Sequence, residues 1–351
     1  MGRILAKLVM IAILVSFPAS LVFSQDGQSE DPKQELLKIQ EELKVVTADM
    51  TKATEDKDND KYKELAVKYE ELKQRLLEQK KLVDAKAADA NQSALAKKAY
   101  NDGGSQMRSG NFTAAVEQYK RCLEIEPNNE GAYYNMGVAY LRLKKTEEAQ
   151  SAFLKAVEIN SNYAAAFLVL GNIESKSREN AVALKHYRKA IELDPQMAKA
   201  HYGIGNIYFR DSNFAQAVTA YKKAVEVKPK FDAAWVVLGR SYNGLKRYSE
   251  ALSAYNKAIQ INPKSDAHYY RAEVLNKLER YSEALSAADK SLKYRKRGKA
   301  PVYFEKGFAL AKLTRKAEAI AAFEQAKTDR AWRESAQYQI DVLNGKIKPT
   351  Q

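Results

Sequence analysis

Residues 232–264 read DAAWVVLGRSYNGLKRYSEALSAYNKAIQINPK, and the spacing inside this stretch decides the fold. Gly239 is followed twelve residues later by Ala251, and Tyr255 comes four residues after that. Small residues at the first two positions let two helices approach closely, and the aromatic ring fills the space between successive units. Pro263 lacks an N–H and cannot continue a helix, so it ends the second one. The stretch therefore predicts a pair of antiparallel helices.

The same pattern recurs seven times along the chain. The first marker falls at Gly103, Gly137, Gly171, Gly205, Gly239, Ala272 and Gly307, and an alanine lies twelve residues after each, at 115, 149, 183, 217, 251, 284 and 319. The pattern resembles the tetratricopeptide repeat, a 34-residue pair of helices. The resemblance implies an all-α, right-handed superhelical solenoid of about seven helix pairs.

The repeats set the predicted domain boundaries. The units are expected at 96–129, 130–163, 164–197, 198–231, 232–264, 265–299 and 300–333, with a capping helix and tail at 334–351. The sixth unit departs most from the pattern, because it is one residue short and has Arg271, Ala288 and Lys296 where the other units keep apolar residues or proline. The doubled Gly103-Gly104 is interpreted as two packing glycines and not as a phosphate-binding loop.

Residues 25–95 differ from the repeats in charge and in period. They contain 13 Lys and Arg against 17 Asp and Glu, whereas residues 96–351 contain 43 against 27. Apolar residues at 36, 39, 43, 46, 50 and 53, and again at 62, 65, 69, 72 and 76, follow the heptad spacing of a coiled coil. We expect a stalk of two helices. An antiparallel hairpin and pairing between chains would both cover these stripes, and the spacing does not choose between them.

The first 24 residues have the features of a signal peptide. Arg3 and Lys7 precede an apolar run that Pro18 interrupts, and Val22 and Ser24 offer a cleavage site before residue 25. This predicts an extracytoplasmic protein, periplasmic or secreted, and an uncleaved membrane anchor is the alternative.

No arrangement of residues predicts catalysis, a cofactor or a metal. The single Cys122 excludes a disulfide within the chain and takes the place of a small buried alanine. His201 and His268 fall at or beside an aromatic packing position, and His186 has no partner at metal-ligand spacing. We expect a protein that is not an enzyme.

A binding surface follows from the family resemblance. In tetratricopeptide repeats the first helix of each pair lines a concave groove, into which residues three before, one after and five after the marker point. The partner-binding candidates on these rows are Tyr134, Arg142, Asn172, Lys176, Tyr202, Asn206, Arg210 and Arg240. The basic row has a second explanation, because Lys and Arg are favoured at helix C-termini without any ligand.

Two functions remain open at this point. The first is a protein-interaction scaffold or adaptor of the cell envelope that binds an acidic peptide or protein segment in a basic, aromatic groove and self-associates through the stalk. The alternative is a structural envelope protein whose basic body binds anionic cell-wall polymer or a membrane surface. The basic run at 293–299 would suggest nucleic acid in a cytosolic protein, but the predicted export argues against that partner.

Overall fold

The computed structural model describes residues 31–348, so the predicted signal peptide lies outside the described residues. Every regular element in this range is an α-helix, which confirms the predicted fold class. The helices are α1 (Pro32–Glu55), α2 (Asn59–Arg108), α3 (Phe112–Ile125), α4 (Glu130–Arg142), α5 (Thr146–Ile159), α6 (Ala164–Lys176), α7 (Asn180–Leu193), α8 (Ala198–Arg210), α9 (Phe214–Val227), α10 (Asp232–Gly244), α11 (Tyr248–Ile261), α12 (Ala267–Lys277), α13 (Tyr281–Tyr294), α14 (Ala300–Lys312), α15 (Lys316–Lys327) and α16 (Arg333–Leu343). Among these sixteen helices, none combines the length and the apolar character needed to cross a bilayer.

The chain divides into two compact units between Leu95 and Ala96. In the first unit, α1 and the part of α2 that precedes Ala96 form an antiparallel hairpin. Ile39, Val46 and Leu72 are buried between the two helices. The Arg75 guanidinium lies 3.0 Å from a carboxylate oxygen of Glu35, which ties the beginning of α1 to a distant part of α2. The two apolar stripes thus cover each other within one chain, which is the hairpin alternative.

In the second unit, each helix pair closes through a short turn with one residue in the left-handed region. These residues are Gly110, Lys144, Arg178, Ser212, Lys246, Glu279 and Thr314. In the second pair, the Lys145 N–H donates to the Tyr140 carbonyl and the Lys144 N–H donates to the Leu141 carbonyl. Such bonds satisfy the carbonyl groups at the end of a helix. Only the first pair uses glycine there, so the turn leaves little trace in the sequence.

The marker glycines lie where the two helices of a pair touch. A Cβ atom added to Gly205 would come within 2.5 Å of Cε1 of Tyr221, which is fully buried. Gly103 meets the Tyr119 ring in the same way, at 2.7 Å. Gly104 has its nearest neighbour at 3.7 Å, so the interpretation of Gly103-Gly104 as two packing glycines is wrong for Gly104. In the pairs with a marker glycine, the ring packed against it therefore leaves no room for a side chain at that position.

The sixth pair solves the same packing problem with smaller side chains. Ala272 and Ala288 replace the glycine and the aromatic residue, and both are fully buried. The array ends on α16, whose Ala336 and Ile340 belong to the buried cluster around Phe323. Each pair thus buries its apolar face against a neighbouring pair or, at the end, against α16.

Candidate ligand-binding face

The predicted rows place the candidate residues on the first helices of successive pairs, from α4 to α10. We call Tyr134, Arg142, Asn172, Lys176, Tyr202, Asn206, Arg210 and Arg240 together the candidate face. The structure shows that these eight side chains are engaged to very different degrees, and the differences decide which of them are available to a ligand.

The two tyrosines of the candidate face are half-buried and contribute to packing. The Tyr202 ring centroid lies 5.7 Å from that of Tyr221 and 5.0 Å from that of Phe231. Tyr134 is held in the same way between Phe153 and Tyr163, at 5.4 Å and 4.9 Å. Aromatic pairs at these separations stabilise a fold beyond the area they bury. Each tyrosine thus offers a rigid, partly covered ring to a ligand.

The two asparagines each use one half of the side-chain amide internally. The Tyr187 hydroxyl donates to Asn172 Oδ1 and the Tyr221 hydroxyl donates to Asn206 Oδ1, both at 2.8 Å. These bonds fix the amide orientation, so that Nδ2 is the remaining group. Neither Nδ2 has a hydrogen-bond acceptor between residues 31 and 348. Two oriented amide donors therefore lie one repeat apart.

Two of the four cations are held by neighbouring side chains. The Arg210 guanidinium donates to the Ser175 carbonyl at 2.8 Å, to the Ser175 hydroxyl at 3.0 Å and to Asn180 Oδ1 at 3.0 Å. Arg240 lies between two rings, 4.7 Å from the Phe209 centroid and 5.0 Å from that of Tyr270. Both arginines thus link consecutive repeat units.

The other two cations are unengaged. Arg142 and Lys176 are the last residues of α4 and α6, and both are exposed. Within residues 31–348, neither side chain forms an ion pair or a hydrogen bond. Their positions also suit the negative end of a helix dipole. They are the cations of the candidate face that a ligand meets without first breaking a contact.

The fifth pair breaks the tyrosine–asparagine pattern. Tyr255 occupies the place of Tyr187 and Tyr221, but Arg240 stands where those two find an asparagine. The Tyr255 hydroxyl is buried and has no hydrogen-bond partner among the described residues. An unpartnered buried hydroxyl costs free energy. The arginine at this position therefore leaves a buried hydroxyl group unsatisfied, which lowers the stability of the fifth pair.

A network of charged residues follows the candidate face in the sixth and seventh pairs, and the sequence rows did not identify it. Lys277 Nζ lies 2.7 Å from Glu273 Oε1, which also accepts from Asn243 Nδ2 at 3.0 Å. Asn276 Nδ2 donates to Glu305 Oε2 at 2.8 Å and to the Glu305 carbonyl at 3.0 Å. The sequence feature that could have revealed this network is the pair of glutamates, Glu273 and Glu305, at positions where most other units carry neutral residues.

Burial governs the ionisation of Glu305. It raises the pKa of this carboxyl group to about 7, and the Glu273 charge adds to the rise. The hydrogen bond from Asn276 and the Lys277 charge act in the opposite direction. A cavity of about 250 Å³ adjoins the network, lined by Glu273, Asn276, Lys277, Phe304, Glu305 and Phe308.

The histidines take structural positions. His268 Nε2 lies 3.0 Å from the Pro263 carbonyl oxygen, and Trp235 Nε1 makes the corresponding bond to the Pro229 carbonyl at 2.8 Å. Burial lowers the pKa of His268 and of His201. His186 Nδ1 lies 2.7 Å from Glu174, a carboxylate that is almost fully buried.

The single thiol group, like the histidines, takes a position inside the fold. Cys122 is fully buried, and burial raises the pKa of its thiol. No group of three or more His, Cys, Asp or Glu side chains within residues 31–348 is arranged to hold a metal ion.

Family models match most of the helix pairs. Models described as tetratricopeptide repeat match residues 131–163, 205–266 and 300–328, and a model described as TPR repeat matches residues 106–144 and 179–212. The chain belongs to the tetratricopeptide repeat proteins. Members of this family are typically non-catalytic interaction modules, and this protein has the fold of a protein-interaction scaffold. It has no match among curated protein sequences.

Solved structures show the same repeat fold. PilF of Pseudomonas aeruginosa superposes with a TM-score of 0.53 at 20% identity, covering 60% of this chain and 97% of PilF. A tetratricopeptide repeat protein from Parabacteroides merdae has a TM-score of 0.50 at 18% identity, covering 71% of this chain and 99% of its own. At these identities the likeness concerns the fold alone.

Proposed function

We propose that this tetratricopeptide repeat protein is a scaffold or adaptor of the cell envelope that binds an extended, acidic peptide segment on the candidate face. The observation that carries the proposal is the pair of unengaged cations, Arg142 and Lys176, beside the unused amide donors of Asn172 and Asn206. Cations attract carboxylates, and amide N–H groups donate to the carbonyl groups of an extended backbone.

The magnitudes assign different roles to these groups. Exposed ion pairs contribute roughly 0.2–1 kcal/mol each. Micromolar binding requires about 8 kcal/mol. Arg142 and Lys176 therefore steer and select an acidic segment, whereas the rings of Tyr134 and Tyr202 and the two amides supply most of the affinity. Arg210 and Arg240 contribute by holding the units in register, because their guanidinium groups are already occupied.

The experiment that tests this proposal is a selection of displayed random twelve-residue peptides on the purified full chain. We expect the enriched peptides to be rich in Asp and Glu, and to lose their enrichment when the selection is repeated on the Arg142→Glu, Lys176→Glu double variant. Enrichment without any acidic preference would contradict the proposal. Enrichment of only the most highly acidic peptides, at a level that this double variant leaves unchanged, would favour a protein that binds anionic cell-wall polymer or membrane.

Export is the second part of the proposal, and it rests on the apolar segment and the Val22–Ser24 cleavage site. N-terminal sequencing of the protein from its native host should begin at Gln25. An intact Met1 in the membrane fraction would replace a periplasmic or secreted protein with an anchored one.

Self-association through the hairpin is the third part. The paired stripes no longer require a second chain, but Leu37, Val45 and Val67 of the hairpin remain at least 60% exposed. Burying these side chains against a second hairpin would remove their apolar surface from water. Light scattering should find a homo-oligomer for the wild-type chain and a smaller species when these three residues are changed to serine. A wild-type monomer would end the self-association proposal.

A further inference from the structure

A cavity in the sixth and seventh helix pairs is lined by more carboxyl groups than cations, unlike the candidate face. Where the third and fourth pairs carry an asparagine one residue after the marker, the sixth pair carries Glu273. Glu305 belongs to the seventh pair, and it lines the same cavity as Glu273. Two carboxyl groups and one ammonium group, that of Lys277, line this space.

The network leaves one acceptor unused. Asn276 is only 5% exposed, and its Nδ2 is committed to two oxygen atoms of Glu305. Because both partners of Nδ2 are acceptors, the amide cannot be turned over without placing oxygen against oxygen. Asn276 Oδ1 is therefore the remaining group, and it is buried without a donor among the described residues. A hydrogen-bond donor in the adjoining cavity would supply the missing bond.

The walls and the size of the cavity restrict what enters. Phe304 and Phe308 contribute two rings, and aromatic faces attract ammonium and guanidinium groups. Small-molecule sites usually enclose roughly 300–1,000 Å³. A cavity of about 250 Å³ lies below that range and suits one long side chain rather than a whole ligand.

We propose that this cavity binds the cationic end of a lysine or arginine side chain that belongs to the same peptide as the acidic segment. The ammonium or guanidinium group donates to Glu305 and to Asn276, and its aliphatic stem lies against Phe304 and Phe308. The inference rests on the proposed function and adds to it a direction: the acidic part of the peptide lies on the candidate face and its basic residue lies in the sixth and seventh pairs.

Binding of a cation has a second consequence at Glu305. An opposite charge in contact with a carboxyl group favours its ionised form. Since the pKa of Glu305 in the unliganded protein is raised to about 7, a cation entering the cavity near neutral pH displaces a proton from the molecules in which this group is still protonated. The Glu273 and Lys277 charges that face Glu305 are already paired with each other at 2.7 Å and change little.

The experiment uses the strongest acidic peptide from the displayed library, synthesised with lysine, arginine or norleucine at its basic position. Norleucine keeps the aliphatic stem and removes the charge. Charge-assisted hydrogen bonds are the strong ones, so the full chain should bind the lysine and arginine forms about 10-fold more tightly than the norleucine form. The Glu305→Gln variant keeps a hydrogen-bond acceptor and should reduce the preference to less than about 3-fold.

The matched control is Glu279→Gln, which makes the same change at an exposed position of the neighbouring sixth unit. It should keep the full preference. Calorimetry at pH 7 in buffers of different ionisation enthalpy should show release of up to about half a proton with the lysine peptide. Glu305→Gln should release none, and circular dichroism should confirm that this variant remains helical.

The outcomes separate the two proposals. Acidic peptides without a basic position, or equal binding of the lysine and norleucine forms, would overturn the cation cavity and leave the candidate face intact. Preference for lysine without proton release would also overturn the assignment to Glu305. A library with no acidic preference would overturn both proposals.

Discussion

The repeat helices have an interior layer and an exposed face that obey different rules. In the interior, Gly137, Gly171, Gly205 and Gly239 each meet an aromatic ring so closely that an added Cβ would lie within 2.9 Å of it. One residue further along the same helices, the side chains are valine, asparagine, asparagine and arginine. The interior is therefore fixed by contact distance, whereas the face is free to vary in charge and in hydrogen bonding.

The two layers are coupled at defined atoms. The Tyr221 hydroxyl of the interior reaches Asn206 on the face, and the equivalent Tyr255 finds no such partner because Arg240 replaces the asparagine. A substitution on the face can thus destabilise the interior. The predictions below separate the two layers, from the largest expected effect on stability to the smallest.

The adjacent glycines Gly103 and Gly104 give the sharpest test of the interior. Gly103→Ala should lower the free energy of unfolding by about 1–2 kcal/mol, because its Cβ would overlap the Tyr119 ring. Gly104→Ala has room for the methyl group and should raise stability by about 0.5–1 kcal/mol, since alanine favours a helix. Urea unfolding measures both. Equal effects of the two substitutions would contradict the assigned packing.

The half-buried carboxyl group of Glu305 should make stability depend on pH. Its pKa is raised from 4.5 to about 7 by folding, so between these values the folded chain keeps a proton that the unfolded chain has lost. The contribution of Glu305 to stability is therefore lost as pH rises from about 5 to 7 and changes little above that. Relative to the wild type, Glu305→Gln should gain about 2–3 kcal/mol in the free energy of unfolding between pH 5 and pH 8.

Urea unfolding of both proteins across this range measures the difference, and using the difference removes contributions from other groups. His201 and His268, whose pKa values burial lowers, act in the opposite direction in both proteins. A wild type and variant that change in parallel with pH would show that Glu305 is ionised like an exposed glutamate.

The coupling between interior and face is tested by two equivalent tyrosines. Tyr221→Phe removes the hydroxyl that donates to Asn206 and should cost about 1 kcal/mol. Tyr255→Phe removes a buried hydroxyl without a partner and should be neutral or stabilising. Thermal unfolding of the two variants side by side decides the matter. A larger loss from Tyr255→Phe would mean that its hydroxyl has a role in the fold that the geometry does not assign.

The fold was predictable because its determinants are local and repeated. The spacing of glycine, alanine and aromatic residue in 232–264 identifies the helix pair, and seven copies identify the array. The hairpin was left open for a physical reason, since an apolar stripe is satisfied equally by the same chain or by another. Gly104 was assigned wrongly because its identity alone does not show whether a neighbouring ring is in reach.

The candidate face was predictable only as far as helix register allows. Register places Arg210 and Arg240 on the first helices, but their partners Ser175, Phe209 and Tyr270 lie on other helices, and side-chain contacts between helices do not follow from spacing. Glu305 was missed because its burial depends on its neighbours in three dimensions. The sequence therefore indicates where a ligand would lie better than it indicates which groups are available to bind it.

The most direct test of the proposed function compares two double variants with identical changes in charge. Arg142→Glu with Lys176→Glu alters the unengaged cations of the candidate face, and Arg121→Glu with Lys257→Glu alters exposed cations on the second helices α3 and α11. The free energy of unfolding of both double variants should lie within about 0.5 kcal/mol of the wild-type value, because all four side chains are exposed.

The measurement is fluorescence anisotropy of a labelled acidic peptide from the library at physiological salt. The face variant should bind at least about 10-fold more weakly than the wild type, because like charges then oppose the peptide. The control variant should stay within about 2-fold, because screening removes most of the effect of distant charges. Equal weakening by both variants would show that net charge alone attracts the peptide, and unchanged binding by the face variant would place the site elsewhere on the chain.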